Sequence, residues 1–285
     1  MKQALLRQSI LHADETTLQV LKESGRPATS KSYMWVYQTS RYDTPVVIYE
    51  YQESRAGKHL QAFLNNFKGY LHVDGYSGYL TLEDITLVGC FAHVRRYFHE
   101  AWVALGENGK DTLTETGLAY CHQLFELEQE SKKLDLKERF DYKIKVMKPV
   151  FESFYQWVVG LSSQVLPKSR LGIAIQYALN QLPQVRNYFL DAKLDLDNNR
   201  AERSIKPFVI GRKNWLFSNS VGGAEASAKL YSIVQTCILN KVNPYAYLSD
   251  TLDKLANMTI NQDTIQESFL PWDPVIQKQY TLLKA

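Results

Sequence analysis

Asp14 and Asp74 stand where a carboxylate is costly. The first lies in Leu11-His12-Ala13-Asp14-Glu15-Thr16-Thr17 and the second in His72-Val73-Asp74-Gly75-Tyr76, inside or at the end of runs whose other residues suit buried strands. A carboxylate in such a run must be paired, hydrogen-bonded or bound to a cation. Neighbouring aspartates with that requirement commonly share a metal. Glu202, in Asn198-Asn199-Arg200-Ala201-Glu202-Arg203, falls in the first turns of an expected helix, where it can project toward a sheet as a third oxygen ligand. Sparse carboxylate sites suit magnesium, which keeps several waters and accepts phosphate oxygens. The residue types leave a plainer reading open: the aspartates end strands, and Glu202 is a solvated first-turn acid favoured by the helix dipole.

Cys90 and His93 form a Cys-x-x-His pair where a strand run gives way to a helical one. Structural zinc takes four ligands, so the pair reads as a buried thiol and a hydrogen-bonded imidazole rather than a metal site. The three cysteines, Cys90, Cys121 and Cys237, are too scattered for a zinc knuckle or a disulfide framework and are expected as free thiols in a reducing compartment. Gly75-Tyr76-Ser77-Gly78-Tyr79 lacks the last glycine of a nucleophile elbow, and His99-Glu100 lacks the second histidine of a zincin helix. No glycine-rich phosphate loop followed by Lys-Ser or Lys-Thr is present, so ATP use is not indicated.

The elements that must carry these groups can be read from pattern. Ile10 to Leu21, Tyr33 to Thr39 and Val46 to Tyr51 are strand-like and separated by turn-like segments, which predicts three antiparallel strands. Leu60, Phe63, Leu64 and Phe67 recur at helical spacing, and Tyr70 to Val73 then reads as a buried strand reached by a crossover, hence paired in parallel. The apolar run Leu87 to Phe91 leads into Val94, Phe98, Ala101, Trp102 and Leu105 on one helical face. That order is the order of a ribonuclease-H-like α/β core, with other α+β folds open on pattern alone. From about Asp111 to Tyr188 the periodicity is helical, with Pro149, Pro167 and Pro183 as expected boundaries or kinks. Asp and Asn residues at 195–199 can cap a helix starting near Arg200, which Pro207 is expected to kink or end. Gly222-Gly223 precedes a helix from Ala224 to Asn240, and Pro244 opens another to about Leu255.

Of the 285 residues, 45% are hydrophobic and 22% charged, an ordinary globular balance that excludes disorder, collagen and coiled coil for the whole chain. No apolar run approaches the roughly 20 residues of a membrane helix, and the N-terminal residues lack a signal-peptide core. The expectation is a soluble, cytoplasmic protein with no membrane partner. A formal charge of +3 is too weak to argue nucleic-acid binding globally, so local placement must carry it.

Four ordered blocks carry a family resemblance: His12-Ala13-Asp14-Glu15-Thr16; Val73-Asp74-Gly75-Tyr76-Ser77-Gly78-Tyr79; Gly89-Cys90-Phe91-Ala92-His93-Val94-Arg95-Arg96-Tyr97-Phe98; and Asn198-Asn199-Arg200-Ala201-Glu202-Arg203, followed by Gly211-Arg212-Lys213-Asn214-Trp215-Leu216-Phe217. Together they resemble the transposases of the insertion-sequence-66 family over about Leu11 to Leu255. The resemblance implies a ribonuclease-H-like mixed sheet with a helical insertion and a helical C-terminal part. It implies Asp14, Asp74 and Glu202 as a catalytic, metal-binding triad for two Mg²⁺ ions, with Mn²⁺ able to substitute. Cys90 and His93 then become structural support of that site. The expected division is 1–105 for the first part of the core, 106–191 for the insertion, 192–242 for the second part with the glutamate helix, and 243–285 for a helical tail. Members of the family carry a long N-terminal region before the first aspartate, whereas this sequence reaches Asp14 almost at once. It is therefore expected to be a fragment of a larger frame or a short variant.

The implied chemistry is divalent-metal-dependent phosphodiester cleavage and strand transfer at transposon ends, with transposon-end and target DNA as partners and a homo-oligomer formed on DNA. A cationic rim suits it: Arg95, Arg96, Arg203, Lys206, Arg212 and Lys213, with Asn214 beside them, are the candidate DNA contacts. Local ion pairs such as Glu202 with Lys206 are the alternative. Trp215 and Phe217 are expected to fill the core rather than stack on bases. The basic stretch Lys132, Lys133, Lys137, Arg139, Lys143, Lys145 and Lys148, interspersed with acids, reads as a solvated face, with a dimer interface equally open. Competing functional readings are an inactive remnant that only binds DNA or oligomerises, and a nuclease or resolvase on the same fold.

Overall fold

Alternating apolar residues give the longest strand its two faces. In the computed structural model, which describes residues 1–110, 112–257 and 269–282, the chain forms two compact units. One comprises 1–69, 80–84 and the chain from 200 onward; the other comprises 70–79 and 85–199. Asp111, where the helical block is expected to begin, lies outside the described residues, as do 258–268 and 283–285 of the expected tail.

In the first unit β1 (Ile10–Lys22), β2 (Lys31–Thr39) and β3 (Val47–Gln52) form the expected antiparallel meander. A short β6 (Ser218–Ser220) adds in parallel at the end of β1, Val20 opposite Ser218, so this sheet is mixed. One face carries Leu18, Val20, Met34, Val36, Val47 and Tyr49, packed against Ile205 and Phe208 of α8 (Asn199–Trp215) and Ala224 and Ala228 of α9 (Val221–Leu239). The other face meets α1 (Lys2–Leu6) and α2 (Gly57–Phe63), where Phe63 stacks on Tyr37 with ring centroids 3.7 Å apart. Helix α9 also satisfies the outer side of β3. Ser232 Oγ accepts from Tyr49 N at 2.8 Å, while Thr236 Oγ1 accepts from Val47 N and donates to Val47 O, both at 3.1 Å. Two helix hydroxyls thus replace a neighbouring strand and leave that edge unavailable for pairing. The chain continues into α10 (Pro244–Ala256), and α11 (Pro274–Gln279) closes a small core of Cys237, Val242, Tyr247, Ile276 and Tyr280.

Pro207 is expected from the sequence to kink or end α8, yet the helix does not end there and runs on to Trp215. An interior proline costs about 3 kcal/mol through a lost hydrogen bond and a ring clash. Here Ile205 and Phe208 are buried on either side of it and the Tyr49 hydroxyl donates to Ser204 O, so packing outweighs the penalty. Pro183 likewise lies inside a helix.

The second unit begins with β4 (Gly69–Val73) and the neighbouring β5 (Ile85–Gly89), followed by α3 (Phe91–Val103). Beyond it come α4 (Leu113–Ser131), α5 (Leu136–Tyr142), a π turn at Lys143–Met147, α6 (Lys148–Leu161) and α7 (Arg170–Val185). Their starts follow the cap chemistry of the sequence: Thr112, Asp135 and Ser169 side chains accept from Glu115 N, Glu138 N and Gly172 N. Phe91, Phe98 and Phe154 are buried among these helices.

The basic stretch corrects the sequence reading. Lys133, Lys137 and Lys145 are exposed, but Arg139 and Lys143 are fully buried. Arg139 Nη2 donates to Glu128 Oε1 and to Leu194 O, each at 3.1 Å. Lys143 Nζ donates to the carbonyls of Tyr188, Asp191 and Leu194 at 3.3, 2.9 and 2.8 Å and lies 3.7 Å from the Tyr188 ring centroid. A charge pattern at helical spacing does not reveal which stripe faces inward. These two cations tie down the irregular segment that leads into α8.

Candidate active site

Asp14 and Glu202 belong to the same unit and to the same side of its sheet. Along β1, Thr16, Leu18 and Val20 alternate with outward neighbours, and Leu18 and Val20 sit in the cluster that includes α8 residues. Side chains two apart share a face, so Asp14 faces α8. Its register partner on β2 is Val36, a member of the same cluster. Asp14 is half-buried, and its Oδ1 accepts from Glu15 N at 2.8 Å. Glu15 takes the opposite face, ion-paired with Arg55. There the Tyr37 phenol is pushed well above its ordinary pKa by burial, and further by Glu50 and Glu15.

Helix α8 is pinned along β1 and β2 by polar contacts at both ends. Arg200 Nε donates to Thr39 O at 3.0 Å, and the Gln38 side chain meets Ser204 Oγ at 2.5 Å. With its amide nitrogen turned toward Ser204, Gln38 also accepts from Arg200 Nη2 at 3.2 Å. Twelve residues after Arg200, Arg212 Nη1 donates to Thr17 O and to the hydroxyls of Thr16 and Thr17, the latter two at 3.1 Å. Glu202 lies between the first two anchors, flanks the buried stripe of Ala201, Ser204, Ile205 and Phe208, and is half-buried. The helix that carries Glu202 therefore packs on the sheet face to which Asp14 belongs.

The residues expected to contact DNA separate by environment. Arg203, Lys206, Lys213 and Asn214 are exposed, whereas Arg212 is engaged with β1. Arg212→Ala leaves strand acceptors without their charged donor, and is expected to cost about 1–3 kcal/mol. Lys213→Ala is expected to stay within about 0.5 kcal/mol of the parent. Thermal unfolding of the two variants checks the contrast; equal midpoints would overturn the structural role of Arg212. Trp215 packs on Phe208 with centroids 5.2 Å apart, as expected, but Phe217 is 41% exposed and does not fill the core. The left-handed Leu216, at φ 63°, turns the chain out of the helix at that point.

In the second unit Asp74 directly follows β4. Its Oδ1 accepts from Tyr76 N at 2.9 Å, an Asx turn that leaves the carboxylate half-buried. A Cβ on Gly75 would stand 2.8 Å from Gln181 Nε2 and 3.0 Å from the Tyr177 hydroxyl, so glycine is what lets α7 approach this turn. Burial, then the proximity of Cys90 and Asp74, pushes the Tyr177 phenol above its ordinary range. Cys90 is buried, and its Sγ accepts from Asn198 N at 3.2 Å. Phe91 N donates to Leu196 O at 3.0 Å, so the start of α3 holds the segment that precedes α8. His93 lies half-buried in the first turn of α3.

Three groups on this unit went unrecognised in the sequence: His122, Phe125 and Gln129 stand with His99, Arg95 and Arg96 around one groove. The available signal was spacing, since Arg95 and His99 are four apart and His122 and Gln129 seven apart on their helices.

Comparisons with known proteins bear on this arrangement. Residues 1–226 match the model of the Transposase IS66 family, and residues 232–272 match the IS66 C-terminal element. Two uncharacterized proteins of Sinorhizobium fredii, y4qI and y4hP, are 31% and 27% identical to the chain, over 92% of it and 50% of their own lengths. The chain thus spans about half the length of the curated relatives it matches. No solved structure matches it. Among the described residues no helix is long and apolar enough to cross a membrane.

Proposed function

The chain belongs to the IS66 transposase family, and we propose that it forms the catalytic region of a DNA transposase, built on a ribonuclease-H-like core interrupted by helices. The observation that carries the reading is the family match over residues 1–226, together with the packing of the helix that carries Glu202 on the sheet face of Asp14. Asp14, Asp74 and Glu202 are the residues assigned to hold the metal, with Asp74 assigned through the family resemblance. Three half-buried carboxylates suit a hard cation. Two Mg²⁺ ions, for which Mn²⁺ can substitute, supply nucleophile activation and stabilisation of the leaving 3′-oxygen when bound.

The protein's own task is then positional. Asp14 is fixed by the sheet register and Glu202 by the Arg200 and Ser204 anchors, so neither carboxylate has to be ordered during the reaction. In cleavage, a water oxygen forms a bond to phosphorus as the bond to the 3′-oxygen breaks, leaving a 3′-hydroxyl and a 5′-phosphate. In joining, that 3′-hydroxyl attacks a phosphodiester of target DNA and releases a new 3′-hydroxyl from it. No covalent protein intermediate is needed. Transposon ends and target DNA are the proposed partners, and the proposed working form is a homo-oligomer on DNA.

Nicking and joining of supercoiled plasmid with Mg²⁺ or Mn²⁺, compared between the purified chain and Asp74→Asn, tests the reading. Metal-dependent products lost in the variant are the expected result. Equal background from two folded proteins overturns catalysis by this chain.

A further inference from the structure

Helices α3 and α4 of the second unit border an open groove of about 580 Å³, a volume in the range of specific ligand sites. Its α3 side presents Arg95, Arg96 and His99, and its α4 side His122. Glu126 is the single acid lining it among the described residues. The floor is different in character. Phe125 is half-buried there, its ring 5.7 Å from that of Phe91.

Arg95 Nη2 lies 3.1 Å from His122 Nε2. A guanidinium has no acceptor, so the ring nitrogen accepts and the imidazole proton sits on Nδ1. The contact fixes the direction of the guanidinium without cancelling its charge, unlike a salt bridge. Arg96 is exposed beside it. An oriented cation, a second exposed cation and a half-buried aromatic ring match a polymer whose phosphates alternate with sugars and bases. A small inorganic anion would have no use for Phe125. The groove also reaches Asn199, which stands three residues before Glu202 in the chain.

We infer that this groove binds the sugar–phosphate backbone of a DNA strand, with Arg95 and Arg96 on phosphate oxygens, His122 orienting Arg95, and Phe125 beneath a sugar or base. The inference rests on the transposase reading for the identity of the polymer. It extends that reading from the carboxylates to a second surface that no metal chemistry requires.

Binding of a fluorescein-labelled DNA duplex to the whole chain, followed by anisotropy over a range of salt, tests it. Each neutralised phosphate contributes about 0.9 to the slope of log affinity against log salt. Arg95→Met/Arg96→Met is expected to bind about 10-fold more weakly at low salt and to lose about 2 from that slope. Lys145→Met, which removes an exposed cation paired with Asp141 elsewhere on the unit, is expected to change neither. Arg96→Met alone, at an exposed site, keeps the test open should the double variant not fold, with an expected loss of about 1 in slope. Folded variants with the parental affinity and slope overturn the groove. If plasmid nicking persists in that case, the transposase reading stands without it. A reduced slope with no nicking overturns the catalytic reading and leaves the groove.

Discussion

Asp14→Asn is expected to lower single-turnover strand cleavage by about 10³-fold or more, and adding Glu202→Gln is expected to lower it little further. Groups that act as one unit show such non-additivity, because the first loss already removes the function that the others share. The geometry supplies the reason to expect it here: Asp14 is set by strand register on the sheet face against which the helix of Glu202 packs, and that helix is anchored at Thr39 and Gln38. Both replacements are close to isosteric and both positions are half-buried, so the fold should tolerate them. The check is a single-turnover cleavage measurement on intact, un-nicked DNA with thermal unfolding alongside. Two independent losses that multiply would show that Asp14 and Glu202 serve different steps, and would sink the shared-site assignment.

Much of the sheet was legible because its signals are local. Three strand runs separated by Gly25-Arg26-Pro27 and Asp43-Thr44-Pro45 leave little choice but a meander, and β1, β2 and β3 follow it closely. Helix starts were legible for the same reason, since Asp135 and Ser169 name their own caps. What failed depended on tertiary neighbours. Pro207 reads as a breaker until the buried Ile205 and Phe208 are seen holding its helix to the sheet. Phe217 reads as core until Leu216 turns the chain outward. Arg139 and Lys143 read as solvated until Glu128 and three carbonyls enclose them. The site divides likewise: aspartates in strand runs stand out by their types, while the Arg95–His122 contact joins residues 27 positions apart and leaves no local mark.

The buried charges of the second unit should dominate its stability, and Glu128→Gln is expected to cost about 3–5 kcal/mol. Glu128 is fully buried and accepts from Arg139, from Ser131 Oγ at 3.1 Å and from the Tyr188 hydroxyl, with Lys132 Nζ 3.3 Å away. Asp195 lies 3.6 Å from Arg139, farther than Glu128, so it compensates only part of the lost charge. Replacing Glu128 and Arg139 together by Leu and Met should recover much of the loss, because an apolar pair escapes the desolvation that an unmatched cation suffers. A double variant no more stable than Glu128→Gln would contradict that account. Lys143 adds a pH signature to the same cluster. Burial first, then Arg139, lowers its pKa to about 7, against the pull of Glu128, Asp195 and Asp191 in the other direction. The unfolded lysine titrates near 10.4, so between about pH 7 and 10 the unfolded chain binds more protons at this site and stability rises with pH. Below that window both states are protonated and the contribution to the slope vanishes. Lys143→Met removes the titration, and the difference in unfolding free energy between parent and variant should therefore grow in the parent's favour as pH rises from 7 to 10. Denaturant titrations of both proteins across that range decide it, since a difference independent of pH would mean that the buried amine keeps its proton throughout, held by the three carbonyls of the segment that leads into α8.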